Sequence, residues 1–521
     1  MAAVRNILLI MCDQLRADHL GCAGHPTLRT PNLDRLAARG VRFENAIVQS
    51  PVCGPSRMSF YTGRYMFSHG ATWNRVPLSV RELTIGDYLR PKGLRVALAG
   101  KTHVLPDEAG LQRFGIEAGS ALDALLRQGG FESLDRYDGH SPPGNESGYP
   151  AYLRAHGYVS DDPWSDYVIS VEGPNGETLS GWQMRNCRLP ARVKEKHSET
   201  AYMTDQAIRF IETQGEQPWC LHFSLVKPHW PYIAPSPYHA MYGPNQVLPT
   251  NKSPRELENQ HPVLAAYRQH EESVNFARDE VVSTVRPAYM GLIGQIDDHL
   301  GRLFAVLERL GRFDDTLIVF TADHGDFLGD HWLGEKELFY EEVLKVPMIV
   351  YDPDPAADAT RGRIEPRLVE AIDVLPTCLD ALQCDPAAHL IEGRSLLPLT
   401  RGPAPAVWRD AAFSELDYSF RQARITLNRE VHECRAWMLR TERWKYVEWL
   451  GFRPQLFDLQ TDPRELADLG EDPAFAAVRA DLQQRLFAWM RERKLRVTAP
   501  DDYVRKRTNT HRAHGIHYGV W

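Results

Sequence analysis

Short, largely apolar runs, too brief for helices and too apolar for exposed strands, constrain the fold of this chain most. Val4 to Met11, Arg95 to Ala99, Trp219 to Val226, Thr316 to Phe320 and Val346 to Tyr351 each read as a strand covered on both faces. Helix patterns lie between them. Thr30 to Gly40 offers an N-cap Thr, Pro31 at the first helical position, apolar residues three and four apart, and a stopping glycine. Val41 to Ala46 reads as another strand, and Thr84 to Arg90, Glu199 to Thr213 and Ala288 to Leu310 as further helices. Such alternation predicts an α/β fold with a large, mostly parallel sheet sandwiched by helices.

The pattern changes twice. Between about residues 110 and 196, Pro, Gly, Trp and Tyr replace periodicity, as in Ser141-Pro142-Pro143-Gly144, and the segment reads as an irregular, lid-like insertion. After about Leu390, Trp437 to Trp449 alternates like antiparallel strands and Asp472 to Arg493 reads as a closing helix. The expected organisation is a catalytic α/β domain over 1–390, a smaller α+β subdomain over 391–499 and a polar tail over 500–521.

Parallel sheets bind ligands beyond the carboxyl ends of their strands. Here four predicted strands end in Asp13-Gln14, Lys101-Thr102-His103, Lys227-Pro228-His229 and Asp323-His324-Gly325-Asp326, which a parallel sheet gathers on one edge. Asp13, Asp323 and His324 together offer oxygen and imidazole ligands for a divalent cation. Any one of these acids alone would read equally well as a cap or loop residue. His19, His25 and the tail histidines lack that context and are expected at the surface, while Asp330 and His331 read equally as supports of the site or as turn residues.

Composition narrows the function. The 521 residues carry 68 acidic against 60 basic side chains, a formal net charge of −8, which argues against a nucleic-acid partner. Eight cysteines are scattered without a C-x-x-C pair, so reduced thiols are expected. Ile7 to Met11 is too short for a secretory signal, and no run approaches the ~18 apolar residues of a membrane span. A cytoplasmic protein without a membrane partner is expected, and Asn145-Glu146-Ser147 and Asn251-Lys252-Ser253 read as chance matches to a glycosylation pattern.

Cys53 alone would read as a small buried hydrophobe. In context, Cys53-Gly54-Pro55-Ser56-Arg57 with Thr62-Gly63-Arg64 resembles the motif of the type I sulfatases of the alkaline phosphatase superfamily, whose cysteine is oxidised to formylglycine. Lys101-x-His103, Lys227-Pro228-His229 with Pro231, Asp323-His324-Gly325, Lys336 and Leu456 to Leu459 extend the likeness from near residue 4 to near residue 470. The pairs Asp13-Gln14 and Asp323-His324 resemble the branch of arylsulfatases, phosphonate monoester hydrolases and choline sulfatases, while Lys101 and His103 match its sulfatase side.

The resemblance implies a divalent metal on Asp13, Cys53 as formylglycine, Asp323 and His324. Calcium or manganese is expected ahead of zinc, while the imidazole ligand favours manganese or zinc more than an all-oxygen site would. It implies catalytic roles for Cys53, Arg57, Lys101, His103, His229 and Lys336, substrate contacts for Asn74 and Gln14, and an anion-binding edge that includes Lys227. Trp164, Tyr167 and Trp182 read either as packing or as walls of a leaving-group pocket. The expected activity is hydrolysis of sulfate monoesters, aryl sulfates foremost, by a formylglycine diol. A phosphonate monoester or phosphodiester hydrolase is the alternative, and a non-catalytic relict binding protein the outside one. Expected partners are a small anionic ester, a formylglycine-generating enzyme and further copies of the chain in a dimer or tetramer.

Overall fold

A computed structural model describes the chain except for residues 1–3, 140–141, 143–146, 386, 495, 509, 516 and 518–521. Asn145 and Glu146 of the first glycosylation pattern lie outside the described residues, as do parts of the Ser141 to Gly144 turn and of the tail. Eight strands form the main sheet: β1 (Asn6–Asp13), β2 (Val41–Ile47), β3 (Arg95–Gly100), β4 (Glu132–Arg136), β5 (Trp219–Pro228), β6 (Thr316–Ala322), β7 (Lys345–Tyr351) and β8 (Arg363–Glu370). Their spatial order is β8-β2-β7-β6-β1-β5-β3-β4. The central strands β1, β5 and β6 are buried along their whole length, as strands covered by helices on both faces must be.

All pairings are parallel except those of β7 with β2 and β6. The connection from β6 to β7 supplies the reason. It leaves and re-enters at the same sheet edge, so no crossover helix is needed and residues 323–344 stay at the carboxyl ends of the other strands. The antiparallel strand thereby keeps the whole Asp323 to Lys336 segment over the site.

Two strands of the main sheet lie outside the sequence expectation. Glu132–Arg136 and Arg363–Glu370 are the two sheet edges, rich in charge and, in the second, interrupted at Pro366 with a register shift between Glu365 and Leu368. Edge strands need no apolar run, and Pro is tolerated there because one side makes no ladder. The 110–196 segment is accordingly less irregular than its composition suggested: it holds β4, helices Glu108–Arg113, Ala121–Leu126 and Tyr149–Ala155, and a small hairpin of Ser170–Glu172 with Thr178–Ser180.

Among the helices, α1 (Pro31–Arg39) and α3 (Glu199–Thr213) begin where the sequence placed them, and α2 spans Cys53–Thr62. The long α4 (Asp279–Arg309) starts before Pro287 rather than after it. Acidic Asp279 and Glu280 in its first turn favour that start, and burial of Val282, Val285 and Arg286 outweighs the hydrogen bond the proline cannot make. No helix among the described residues is long and apolar enough to cross a membrane.

Four antiparallel strands, β9 (Ala411–Asp417), β10 (Arg435–Thr441), β11 (Trp444–Trp449) and β12 (Gln455–Asp458), form the second sheet in sequential order. Leu482 and Leu486 of α5 (Ala476–Arg491) close its small core with Leu439, Tyr446 and Leu456. His19 and His25 are buried rather than exposed. Their rings pack 5.1 Å apart, His19 bonds to Asp18 at 2.6 Å, and His25 Nδ1 accepts from the backbone of Leu28 at 2.9 Å. A short polar loop after β1 thus folds back on itself, which spacing alone does not reveal. The tail residues His514 and His517 are exposed.

Candidate active site

Helix α2 starts at Cys53, follows extended Val52 and is buried along all ten residues, ending at Gly63 with φ 66°. Its free N–H groups and dipole favour an anion at Cys53. Asn74 Oδ1 accepts from Gly54 N at 2.7 Å, and a Cβ at position 54 would lie 2.8 Å from that oxygen, so only glycine fits there. Pro55 in the first turn costs no hydrogen bond.

The ends of β1 and β6 bring two carboxylates and an imidazole to the same point. Donor atoms of Asp13, Cys53, Asp323 and His324 all lie within 4.8 Å of one another, and all four residues are buried. His324 Nδ1 is 2.8 Å from the Gly325 carbonyl, so that nitrogen carries the hydrogen and Nε2 presents a lone pair, 3.0 Å from Cys53 Sγ. Burial pushes the His324 pKa down, leaving the ring neutral as a ligand must be. Burial likewise raises the Cys53 thiol to about 12, so the unmodified side chain is a thiol and a poor nucleophile. Two carboxylates, a neutral imidazole and an oxygen in place of Sγ form a donor set that fits one divalent ion.

Arg57 clamps this centre. Its Nε donates to Asp323 Oδ2 at 2.7 Å, Nη1 to the Lys101 carbonyl at 3.0 Å and to Ser224 Oγ at 2.8 Å, and Nη2 to Asp13 Oδ2 at 3.4 Å. Two of these four bonds fix the acids and two tie the guanidinium to the end of β3 and to β5. Lys101 Nζ also pairs with Asp13 Oδ2. Burial opposes ionisation of Asp13, yet Lys101, His229, Arg57 and His324 hold its carboxyl well below the usual carboxylate range.

Above the centre lies a cleft of about 700 Å³. Asn74, His103, His229 and Lys336 reach it, with Trp73, Trp182 and Trp230 among its walls. His103 has φ 57° and its backbone N donates to Asp138 Oδ1 at 3.2 Å, which holds the turn after β3. Lys336 Nζ lies 3.1 Å from His229 Nε2. Trp230 stacks on His229 at 5.0 Å, and Trp182 meets Trp230 edge-on at 5.1 Å. Trp164 is buried in packing below, and Tyr167 lies against Tyr158 and under Arg192.

Other residues support the site without facing the cleft. Gln14, at φ 65°, donates through Nε2 to Asp326 Oδ2 at 2.6 Å and accepts from Lys336 Nζ at 3.4 Å. Lys227 pairs with Glu199 at 3.1 Å and donates to the Pro231 carbonyl at 3.0 Å, pinning the turn that carries His229. Asp330 is buried and accepts from Arg16, Arg286 and the backbone of Asn251, each at 2.6 Å. Ser56, Ser224, Asp326, Tyr232 and Glu335 were not singled out by sequence reasoning. Ser56 and Asp326 sit inside the quoted motifs and Glu335 stands next to Lys336, and that proximity was the one signal for them.

A family model described as Sulfatase matches residues 5–384, and one described as N-sulphoglucosamine sulphohydrolase, C-terminal, matches residues 329–492. The chain is 34% identical over 514 residues to the multifunctional alkaline phosphatase superfamily protein PehA of Trinickia caryophylli, covering 93% of this chain and 95% of that one. It is 28% identical over 497 residues to an arylsulfatase of Clostridium perfringens, covering 89% and 90%. The crystal structure of a phosphonate monoester hydrolase of Agrobacterium radiobacter superposes with a TM-score of 0.81 at 30% identity, covering 94% and 95%. Fold, neighbours and strand-end cluster define an ester hydrolase of the alkaline phosphatase superfamily. Within that class, the chain belongs to the sulfatase family, which hydrolyses sulfuric esters and implies a divalent metal and a formylglycine.

Proposed function

We propose that the protein hydrolyses sulfate monoesters with an aryl leaving group, after Cys53 has been oxidised by a formylglycine-generating enzyme. The observation that carries this reading is the position of Cys53 at a helix N-terminus between Asp13, Asp323 and His324, directly under an aromatic-walled cleft. When bound, an ion on those residues supplies Lewis acidity and the formylglycine hydrate supplies the attacking hydroxyl.

The chain's own residues supply the rest. The N–H groups at the start of α2, with Lys101 and Lys336, attract the ester's negative charge to the floor. The NH2 of Asn74, whose oxygen is engaged by Gly54, is left for an ester oxygen. His229 Nδ1 lies 2.7 Å from the Trp230 carbonyl, so its Nε2 accepts from Lys336 and keeps that ammonium at the leaving-group side. His103, which also lines the cleft, takes the proton whose loss releases sulfate. Trp182 and Trp230 offer flat apolar surface to an aryl group.

Initial rates on a matched aryl sulfate, aryl phosphonate monoester and phosphodiester test the proposal, with modification checked by the loss of about 18 Da that thiol-to-aldehyde conversion entails. The sulfate should give the highest kcat/KM on modified, metal-loaded protein; negligible sulfatase turnover there sinks the reading. A phosphonate monoester hydrolase is the second reading, favoured by the likeness to the Agrobacterium radiobacter enzyme.

A further inference from the structure

The ammonium of Lys336 has three hydrogens and three acceptors around it: His229 Nε2 at 3.1 Å, Gln14 Oε1 at 3.4 Å and Glu335 Oε1 at 2.9 Å. Two of these are neutral. Among the described residues Glu335 is the one carboxylate paired with Lys336, and it belongs to the cleft wall rather than to the metal-ligand cluster. Its carboxylate is held in turn from the cleft side, where Trp230 Nε1 donates to Oε1 at 2.5 Å. Burial disfavours the Glu335 charge, yet Lys336 and the Trp230 N–H hold its carboxyl below the usual range.

The backbone is shaped to make this pairing. Glu335 and Glu337 flank Lys336 with φ of 66° and 79°, and Leu338 follows at 58°, a run of left-handed residues without a glycine among them. Such strain persists only where surrounding contacts impose it. Gly334 is pressed against the neighbouring helix, where a Cβ would lie 2.5 Å from Phe276 and 2.7 Å from the Glu272 carbonyl. Glu337 is tied to Arg421 at 3.1 Å. The turn is therefore fixed on both sides of Lys336, with Glu335 directed to the ammonium.

We infer that Glu335 is a positioning residue, which holds Lys336 charged and aimed as the proton donor to the leaving group. The inference rests on the proposed ester hydrolysis. As the nucleophile's oxygen–sulfur bond forms, the bond from sulfur to the leaving oxygen breaks and its electron pair stays on that oxygen. The oxygen takes a proton from Lys336 Nζ, and the neutral amine regains one from solvent through the cleft. Trp230 couples this arrangement to the leaving-group wall, since one indole both lines the cleft and fixes Glu335.

Proton donation matters little when the departing oxygen is already a stable anion and much when it is not. Rates for wild type, E335Q, K336A and the double variant on aryl sulfates from 4-nitrophenyl to unsubstituted phenyl therefore test the role. E335Q should lose about 10-fold in kcat/KM on the phenyl ester, the size of one charge-assisted hydrogen bond, and much less on the nitrophenyl ester. The double variant should be no worse than K336A. W230F should show the same leaving-group dependence, more weakly. An equal loss of E335Q on every ester, or additive losses in the double variant, overturns the inference.

A second measurement needs no turnover and separates this inference from the proposed activity. Lys336 should undergo reductive methylation several-fold faster in E335Q than in wild type, read by peptide mass, with unchanged thermal unfolding as the check on folding. Equal modification rates in a folded E335Q overturn the positioning role even if no ester is ever hydrolysed.

Discussion

At the floor of the site, Asp13, Arg57, Lys101, Asp323 and His324 are fully buried and stand at strand ends or in the first turns of a helix. The cleft above is walled instead by loop residues, among them Asn74, Trp182, Trp230 and Arg421, with Trp182 40% exposed. The floor has its hydrogens and lone pairs engaged by neighbours whose own positions the sheet dictates. The walls come from eight separate stretches of chain that meet only in the folded protein. A scaffold of this kind fixes the chemistry and leaves the leaving group to loops, which accept change at small cost to the core.

The comparison breaks most completely at Cys53. Cys53→Ala should abolish turnover, because it removes the side chain from which the formylglycine is made, while removing one small side chain at the start of a helix should leave the unfolding midpoint near wild type. A residual rate close to wild type would refute the assignment. Replacement of Asp323 should also lower metal content, read by elemental analysis, since it removes one of the four clustered donors.

Arg57 comes next, and here the loss should be structural as well as chemical. It joins Asp13 to Asp323 with no exposure of any of the three side chains. Arg57→Met leaves two buried carboxylates facing each other, a change that costs about 3–5 kcal/mol in comparable buried pairs. Denaturant unfolding of the metal-free protein should show that loss. A metal-free Arg57→Met as stable as wild type would mean that Lys101, which also pairs with Asp13, and not the guanidinium balances those charges.

Behind the floor, the β6–β7 connection is held by a third device. His331 bonds through Nδ1 to Glu256 at 2.7 Å, lies 3.4 Å from Glu342 and stacks on Tyr340 at 3.9 Å. Burial alone would depress its pKa, but Glu342 and Glu256 raise it to about 10. Its pKa in the folded protein thus exceeds the ordinary 6.5, so its stabilisation is complete below about pH 6.5 and is lost as pH climbs towards 10. Unfolding free energy should fall over that window in wild type and fall less in His331→Gln, which itself should cost about 2 kcal/mol at pH 7. Parallel pH curves for the two proteins would remove His331 from the account.

The same contrast explains what could be read from the residues alone. β1, β5 and β6 are apolar because both faces are covered, so their ends, and with them Asp13, His229, Asp323 and His324, were legible. Cys53 was legible because its neighbours are fixed by packing: Gly54 by Asn74, and Arg57 by two carboxylates. The edge strands Glu132–Arg136 and Arg363–Glu370 were not, since a half-solvated edge carries charge like any loop. The roles of Glu335 and Asp326 escaped because each acts through another side chain, Lys336 or Gln14, and their contacts with Trp230 and Gln14, across 105 and 312 residues of sequence, have no local pattern. His19 and His25 misled for the opposite reason. A polar side chain buried by its own loop looks the same in sequence as one in water.

The smallest expected effect sharpens the contrast best, because it separates binding from chemistry. Trp182 lines the cleft, its ring meets those of Trp230 and Trp164 at 5.1 and 6.3 Å between centroids, and it is not one of the four clustered metal donors. Losing one aromatic contact is worth about 0.5–1.5 kcal/mol, so Trp182→Ala should raise KM for phenyl and naphthyl sulfates about 3- to 10-fold. KM for a short alkyl sulfate should stay level, and kcat on all of them should hold, because the wall contributes equally to ground and transition states. A fall in kcat with KM unchanged would place Trp182 in the chemistry and erase the division between floor and wall. A rise in KM on alkyl and aryl esters alike would mean that the insertion shapes the cleft as a whole, and that Trp182 is packing rather than a surface for the leaving group.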